Sequence, residues 1–568
     1  MTDERWNVRT ALLAALVIWS ALAPPELSPT GSALAVTLGT GLGVLLLFGD
    51  GRARAWTPEE NATALVVSAY FGLSVLLSSQ PHRSLSCLLG PGMGLVACLA
   101  ARREATHPGN RDRILKAFVM AGSLVASYGL YQKWLGLPAA ARDLRLSHLP
   151  ERDAYVIRAE SGRAFGPFLL PSSLGLYLGL AIPLTVLLLL RRRPGERMRL
   201  LVWALLLVQI AGVWATLSYG AVGAFLGAVL LLPAFGRRRP QRVLLTAGAA
   251  GGILLALFVT VRLKEGVSPL MLRWNNWLAA VRVFAESPLF GVGFGNFVDS
   301  YPQQMRPGMN ESSHVHNSYL QVAAEGGVLA LVWVAWGLTR FAAAARSRLR
   351  EAPDRLAAVL PVLPPLVFLL HNLVDFSAYQ PSLTIAFGAT LGLAFPGIAR
   401  DTASDPEPRR GSLPQNLALL LLLLGGATWG LREAWARGLI ETGLAHLDSG
   451  EFDSGIAVLS QAARWDPHDP DPPSVLSEVY LSEPRRGPRW SARGETWARK
   501  AVALRPRRAY GHYVLALFRL RAADPGEAWV ELSRARLLFP LRELYAREEA
   551  ELRGMISAVH QRGGDADR

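Results

Sequence analysis

Cysteine is nearly absent: the 568 residues hold two, Cys87 and Cys98, both in one apolar run. On a helix they would stand about 16 Å apart by rise, too far for a disulfide, and no metal-ligand cysteine pattern exists. Charge is also scarce. Asp, Glu, Lys and Arg make up 18% of the chain, hydrophobic residues 51%, and mean hydropathy is +0.25. Average soluble chains carry about 25% charge, so an ordinary soluble domain is disfavoured. Disorder of the bulk is excluded, because disorder needs low hydrophobicity. There is no Walker loop, no kinase pattern and no GxGxxG following a strand. No paired carboxylates in an outside loop suggest a glycosidase, and no acidic metal motif occurs there. No cofactor and no metal are expected.

The net charge of +15 invites a nucleic-acid reading, and its distribution argues against one. From Arg432 onward there are 21 basic and 20 acidic residues, which leaves 38 basic against 24 acidic before it. The surplus sits in short clusters between apolar runs, the pattern of cytoplasmic loops and not of a groove for phosphates.

Thirteen runs read as spans: 10–23, 32–48, 62–78, 86–101, 114–136, 166–190, 200–217, 220–235, 243–261, 317–340, 358–375, 382–399 and 413–431. Arginine clusters near Arg5, Arg52, Arg102, Arg191, Arg237, Arg346 and Arg400 fall on alternate loops. The opposite short loops are almost free of basic charge. By the positive-inside rule the N-terminus is cytoplasmic, and an odd span number puts the C-terminal part outside. Ala21-Leu22-Ala23 has the look of a signal cleavage site, but Pro24 follows directly, so an uncleaved first helix is expected.

The expected fold is therefore all-α: a polytopic membrane bundle over 1–431, then an extracytoplasmic helical domain over 432–568. Two outside loops are long, about 137–165 and 262–316, and loops of that length are usually functional or disordered. In the second, Leu270, Trp274, Trp277, Leu278 and Val281 can share one helix face suited to the membrane interface. In the C-terminal part, Gly450, Phe452, Leu459, Ala462 and Pro467 have spacings resembling a tetratricopeptide repeat. Ala501 and Pro506, then Ala528, Leu532, Ala535 and Pro540, repeat its end. Pro506 to Pro540 is the 34-residue period, whereas Pro467 to Pro506 is 39 and implies an insertion. The alternative is an irregular helical domain. So few repeats bury little core and are expected to pack on the membrane domain or on a protein partner.

The residues that discriminate between functions lie in and around the long loops. Pro288-Leu-Phe-Gly-Val-Gly-Phe-Gly-Asn-Phe297 is a glycine turn that brings backbone close to something. After a loop comes His314-Val-His316-Asn-Ser-Tyr-Leu320, with Glu325-Gly-Gly327 following. Together these resemble the O-antigen ligase and polymerase superfamily. Arg163-Ala-Phe-Gly-Pro-Phe168 looks like its first outside-loop arginine, Arg273 with Trp277 like its second. His371-Asn-Leu-Val-Asp375-Phe376 resembles a segment of its repeat-bearing members. The resemblance covers most of 60–431, with its sharp motifs in 160–380. One departure stands out: where many relatives have Ser-Arg-Gly-Ala, this chain has Ser218-Tyr219-Gly220-Ala221.

The resemblance implies a glycosyltransferase-C-like membrane fold in the bacterial inner membrane. It also implies an inverting transfer of glycan from a polyprenyl diphosphate, such as undecaprenyl diphosphate, to an acceptor hydroxyl. The acceptor stays open among lipopolysaccharide core sugar, growing glycan, protein and envelope polymer. Residue chemistry fits this. Arginine pairs with phosphate oxygens through a planar fork, so Arg163 and Arg273 would hold the donor diphosphate. Read alone, each is equally a snorkelling arginine at a lipid headgroup. His316 at the mouth of a span would be the general base, or a capping histidine, with His314 the weaker candidate. Glu325 falls inside a span, where carboxylates are costly and partnered; it and Asp375 would support the site. The rival reading is a non-enzymatic transporter or scaffold for lipid-linked glycans. A transporter should show paired interrupted helices, which the sequence lacks.

Overall fold

A computed structural model describes residues 7–48, 58–146, 152–191, 197–236, 269–307, 309, 311–397, 413–482 and 487–566. Among the described residues the chain is helical with no strand. A lipid phase explains the helices: with no water to take backbone hydrogen bonds, each span must satisfy them internally. Seven helices are long and apolar enough to cross a membrane: Pro29–Phe48, Pro81–Glu104, Pro108–Asp143, Pro171–Leu190, Arg197–Thr216, Ser318–Glu351 and Gln415–Asp448. Shorter apolar helices occupy Val8–Leu22, Val66–Leu76, Tyr219–Leu232, Arg355–His371 and Pro381–Ala394. An apolar helix thus stands at each expected span except 243–261, which lies outside the described residues. The chain is a multi-pass membrane protein.

Burial sorts these helices. The apolar window of Pro171–Leu190 is 83% buried and that of Gln415–Asp448 only 11%, so the first is central and the second peripheral. Its Tyr177 and Leu184 share one buried core with Phe118, Val367 and Phe368 of neighbouring helices. Helices Pro81–Glu104 and Pro381–Ala394 meet along small residues. A Cβ on Gly388 would lie 1.9 Å from the Gly94 carbonyl oxygen, and one on Gly392 would lie 2.2 Å from that of Cys98. Such backbone approach is how membrane helices gain packing when lipid is as apolar as leucine. Outward-facing Leu200, Leu207, Trp214 and Leu421 are left exposed, as lipid contact requires.

Several boundaries differ from the sequence reading. The span expected at 166–190 starts at Pro171, because Ala164 to Leu170 form a turn whose Gly166 has φ +58°. Helix Leu413–Asp448 has 36 residues, about 54 Å of rise, and runs through residues 431 and 432. The last span and the first helix of the C-terminal part are one rod. Both loops expected to lie outside contain helices: Leu137–Leu146 and Arg152–Glu160 in the first, Pro269–Glu286 and Phe297–Gln304 in the second. On Pro269–Glu286 the exposed apolar face is Met271, Trp274, Leu278 and Val281. Trp277 is turned inward, packed beside Ala280 and Val315; the side chain of Leu270 is not among those described.

The C-terminal part is a series of helix pairs: the end of Leu413–Asp448 with Phe452–Trp465, Asp471–Ser482 with Pro488–Leu504, and Ala509–Arg521 with Pro525–Leu538. Pro467, Pro506 and Pro540 each stand two residues past the end of a second helix, where proline cannot extend it. The long interval has a location. Five residues, 483–487, join the middle pair where three join the others, and its second helix has 17 residues against 14 and 14. Leu459 and Leu532 are buried as expected. Phe452 is only half-buried, because as the first residue of its helix it lies at the edge of the pair.

Candidate functional site

Local chemistry assigns each residue of the His316-Asn-Ser-Tyr run a task. Asn317 caps helix Ser318–Glu351, its side chain accepting from the backbone N–H of Tyr319 and Leu320 at 3.0 Å each, as N-cap residues do. The Ser318 N–H donates to the carbonyls of Asn372 and Asp375 at 2.9 and 3.0 Å, and its hydroxyl donates to Asn372 Oδ1 at 2.5 Å. Tyr319 donates its hydroxyl to the Leu369 carbonyl at 2.8 Å. One helix start is thereby riveted to the end of another, Arg355–His371. His316, just ahead of the cap, is forced to φ +57°, a conformation that few non-glycine residues adopt.

That geometry turns the His316 ring toward Asp375, with Nδ1 3.9 Å from Oδ1. Phe376 lies against the ring edge-on, at 5.2 Å between centroids. The side chain is 29% exposed, yet Nδ1 is enclosed, with no hydrogen-bond partner among the described residues. Burial lowers the His316 pKa, the charge of Asp375 raises it, and that of Arg273 lowers it; the net shift is downward. The ring is thus neutral near pH 7 and able to accept a proton. Burial pushes the Asp375 carboxyl up, but His371, a Ser172 hydrogen bond, His316 and Arg273 outweigh it and hold it below the usual range.

Arg273 comes from helix Pro269–Glu286, and Trp277, one turn further on, donates its indole N–H to the His316 carbonyl at 3.4 Å. Arg273 acts electrostatically on both His316 and Asp375, so these three expected residues share one neighbourhood. Arg163 enters from another side. Its Nε donates to the Thr216 carbonyl at 3.3 Å, beside the Ser218-Tyr219 turn. Its loop is held by Gln132, whose Oε1 accepts from the Phe165 and Gly166 N–H. The chain then reaches Ser172, at Asp375, and Ser173, which donates to Gln380 Oε1 at 2.7 Å.

His314 is packed inward. Its ring stacks on Phe376 at 4.0 Å with 6° between planes, and its Nδ1 meets Gln321 Nε2 at 3.1 Å. Burial depresses its pKa to about 4. Glu325 is fully buried and clamps backbone: Oε1 accepts from the Phe297 N–H and from Gln321 Nε2, each at 3.2 Å.

The glycine turn explains itself here. Helix Ser318–Glu351 breaks at Gly327, φ +69°, and a break leaves carbonyls and N–H groups without helical partners. Val292 and Gly293 donate to the carbonyls of Ala324 and Glu325 at 3.1 and 2.9 Å, while Val328 donates to the Pro288 carbonyl at 2.8 Å. The turn and the Glu325-Gly-Gly run, about 30 residues apart in sequence, are two halves of one backbone joint. Sequence reasoning named the His371–Phe376 segment but gave no site role to Phe376, on which both histidines lean, or to His371, whose Nε2 is 3.8 Å from Asp375 Oδ2. Among the described residues no three His, Cys, Asp or Glu side chains are grouped to hold a metal ion.

No curated protein matches the chain. Residues 165–335 match the family model of the O-antigen ligase. The matched segment holds the glycine turn, Arg273, His316 and Glu325, while Arg163 lies two residues ahead of it and Asp375 beyond it. Over that segment, within a larger multi-pass helical protein, the chain is similar to the O-antigen ligase family.

Proposed function

We propose that this protein is an inverting membrane glycosyltransferase of the O-antigen ligase type, working at the outer face of the bacterial inner membrane. Its N-terminus lies in the cytoplasm and its C-terminal helices outside. The donor is a glycan on a polyprenyl diphosphate; the acceptor is a hydroxyl of a glycan, lipid or protein. The family supports a membrane ligase- or polymerase-type function. The observation that carries the mechanism is His316 Nδ1 standing 3.9 Å from Asp375 Oδ1 just ahead of a helix start.

In this reading the acceptor oxygen attacks the anomeric carbon of the donor sugar, and the bond from that carbon to the phosphate oxygen breaks. His316 Nε2 takes the hydroxyl proton, and Asp375 steadies the imidazolium that forms through Nδ1. The lipid diphosphate leaves with added negative charge, which Arg273 and Arg163 hold in bidentate pairs. Placing fixed cations where charge develops is commonly the largest catalytic contribution.

The test is product identification. Full-length protein in lipid nanodiscs is incubated with a polyprenyl-diphosphate glycan and a panel of acceptors, and products are read by mass spectrometry. Glycan joined to an acceptor with inverted anomeric configuration is expected. Passage of intact donor across a vesicle membrane with no product would instead favour the transporter reading.

A further inference from the structure

Asp299 sits in the first turn of helix Phe297–Gln304, two residues past the Phe297 N–H that Glu325 holds. It is 5% exposed, and three side chains from two distant parts of the molecule converge on it. Arg505, at the C-cap of repeat helix Pro488–Leu504 and 8% exposed, donates through Nε and Nη2 at 2.9 and 2.7 Å to Oδ1, with Nε also 3.1 Å from Oδ2. Gln80 Nε2 donates to Oδ2, and Arg83 Nη1 lies 3.5 Å from it. Flanking contacts repeat the connection. Arg507 reaches the Ser300 hydroxyl at 3.5 Å and Arg542 pairs with Glu311 at 3.1 Å. Repeat side chains thus grip the 299–311 stretch between the glycine joint and His314–His316.

We infer that Arg505 is a positioning residue for the transfer step: by fixing Asp299 it makes the docked repeats part of the support under the His316 loop. The inference rests on the proposed function for its kinetic consequence, though not for its structural one. The path is physical and short. Arg505 sets Asp299, the helix carrying Asp299 starts on Glu325, Glu325 shares Gln321 with His314, and His314 stacks on the Phe376 that also borders His316. A buried carboxylate that loses its bidentate arginine cannot keep its place without another partner. Arg83 and Gln80 alone would then set its position, and helix Phe297–Gln304 would move with it. A displacement of about an ångström at a reacting group costs between about 10- and 100-fold in rate.

Full-length Arg505→Met is compared with Arg505→Lys and wild type by backbone hydrogen exchange and by transfer kinetics. Faster exchange over 303–317 is expected in Arg505→Met, with unchanged exchange over 509–538 as the sign that the repeats are folded. The turnover number kcat, normalised to the folded protein counted by exchange over 509–538, should fall between about 10- and 100-fold with the donor KM within about twofold; the normalisation separates this from a loss of folded protein, which lowers apparent kcat at constant KM. Arg505→Lys should fall between, since it keeps the charge and loses the fork; if Arg505→Met fails to insert, the lysine variant carries the same comparison. Unchanged exchange over 303–317 in a folded variant overturns the inference, even where transfer is seen in wild type. Altered exchange in a protein that transfers nothing from any donor leaves the coupling standing and sinks the proposed function instead.

Discussion

His316 Nδ1 and Asp375 Oδ1 face each other at 3.9 Å across the seam where one helix begins and another ends. The carboxylate raises the histidine's proton affinity, and Arg273, on the far element, lowers it. The two neighbours therefore make opposite predictions. If neutral His316 is the working form, activity is full above its pKa and falls as pH drops through it. Because that pKa is depressed, the acid limb should lie below the ordinary histidine value of about 6.5. Asp375→Asn should move the limb to lower pH, and Arg273→Met should move it up. Measured kcat–pH profiles that shift in the same direction for both variants would rule out His316 as the titrating base.

Loss of the base and loss of the clamp should look different. His316→Ala should slow transfer by about 10²–10⁴-fold while lipid-linked donor still binds. Arg163→Ala and Arg273→Ala should weaken donor binding as well as turnover, with lysine rescuing only part. Donor binding lost in His316→Ala and untouched in both arginine variants would require the roles to be abandoned.

The backbone joint predicts a ranking of glycine substitutions. At Gly327 an added Cβ would lie 2.3 Å from the Leu289 carbonyl oxygen, and at Gly291 it would lie 2.2 Å from the Glu325 carbonyl carbon, both with positive φ. Gly450 also has positive φ, +79°, but open space around it. Gly450→Ala should therefore cost about 1–2 kcal/mol, the left-handed strain alone. Gly327→Ala and Gly291→Ala add overlap with backbone that cannot step aside and should destabilise by clearly more. Unfolding followed by tryptophan fluorescence in detergent tests the order; equal midpoints for Gly327→Ala and Gly450→Ala would contradict the joint.

Topology has its own test. A reporter fused after Asp448 should read as extracytoplasmic, and one fused after Gly236 as cytoplasmic, because the arginine clusters alternate between loops. A cytoplasmic reading at Asp448 would break the thirteen-span arrangement and place the repeats on the wrong side for the proposed site.

Much of this molecule was legible along the chain. Apolar runs mark helices because a span has no other way to satisfy its backbone, and prolines at 467, 506 and 540 mark helix ends because proline cannot continue one. The glycine turn was readable as a close backbone approach, though not what it approaches. Hydrophobic spacing misjudged Trp277 and Phe452. A period says which residues can share a face, not which of them a neighbouring element will cover.

Tertiary structure decided the rest. His316 is turned to Asp375 by rivets between Ser318 and Asn372, 54 residues apart, and Arg505 reaches Asp299 across 206. Such meetings depend on how whole helices pack, a sum of many weak contacts that no local pattern encodes. The sequence by itself determined the helices, their likeness to a family and the chemistry on offer. Only packing set His316 against Asp375 and Arg505 against Asp299, because a distance between elements is a property of the assembled core and not of either segment.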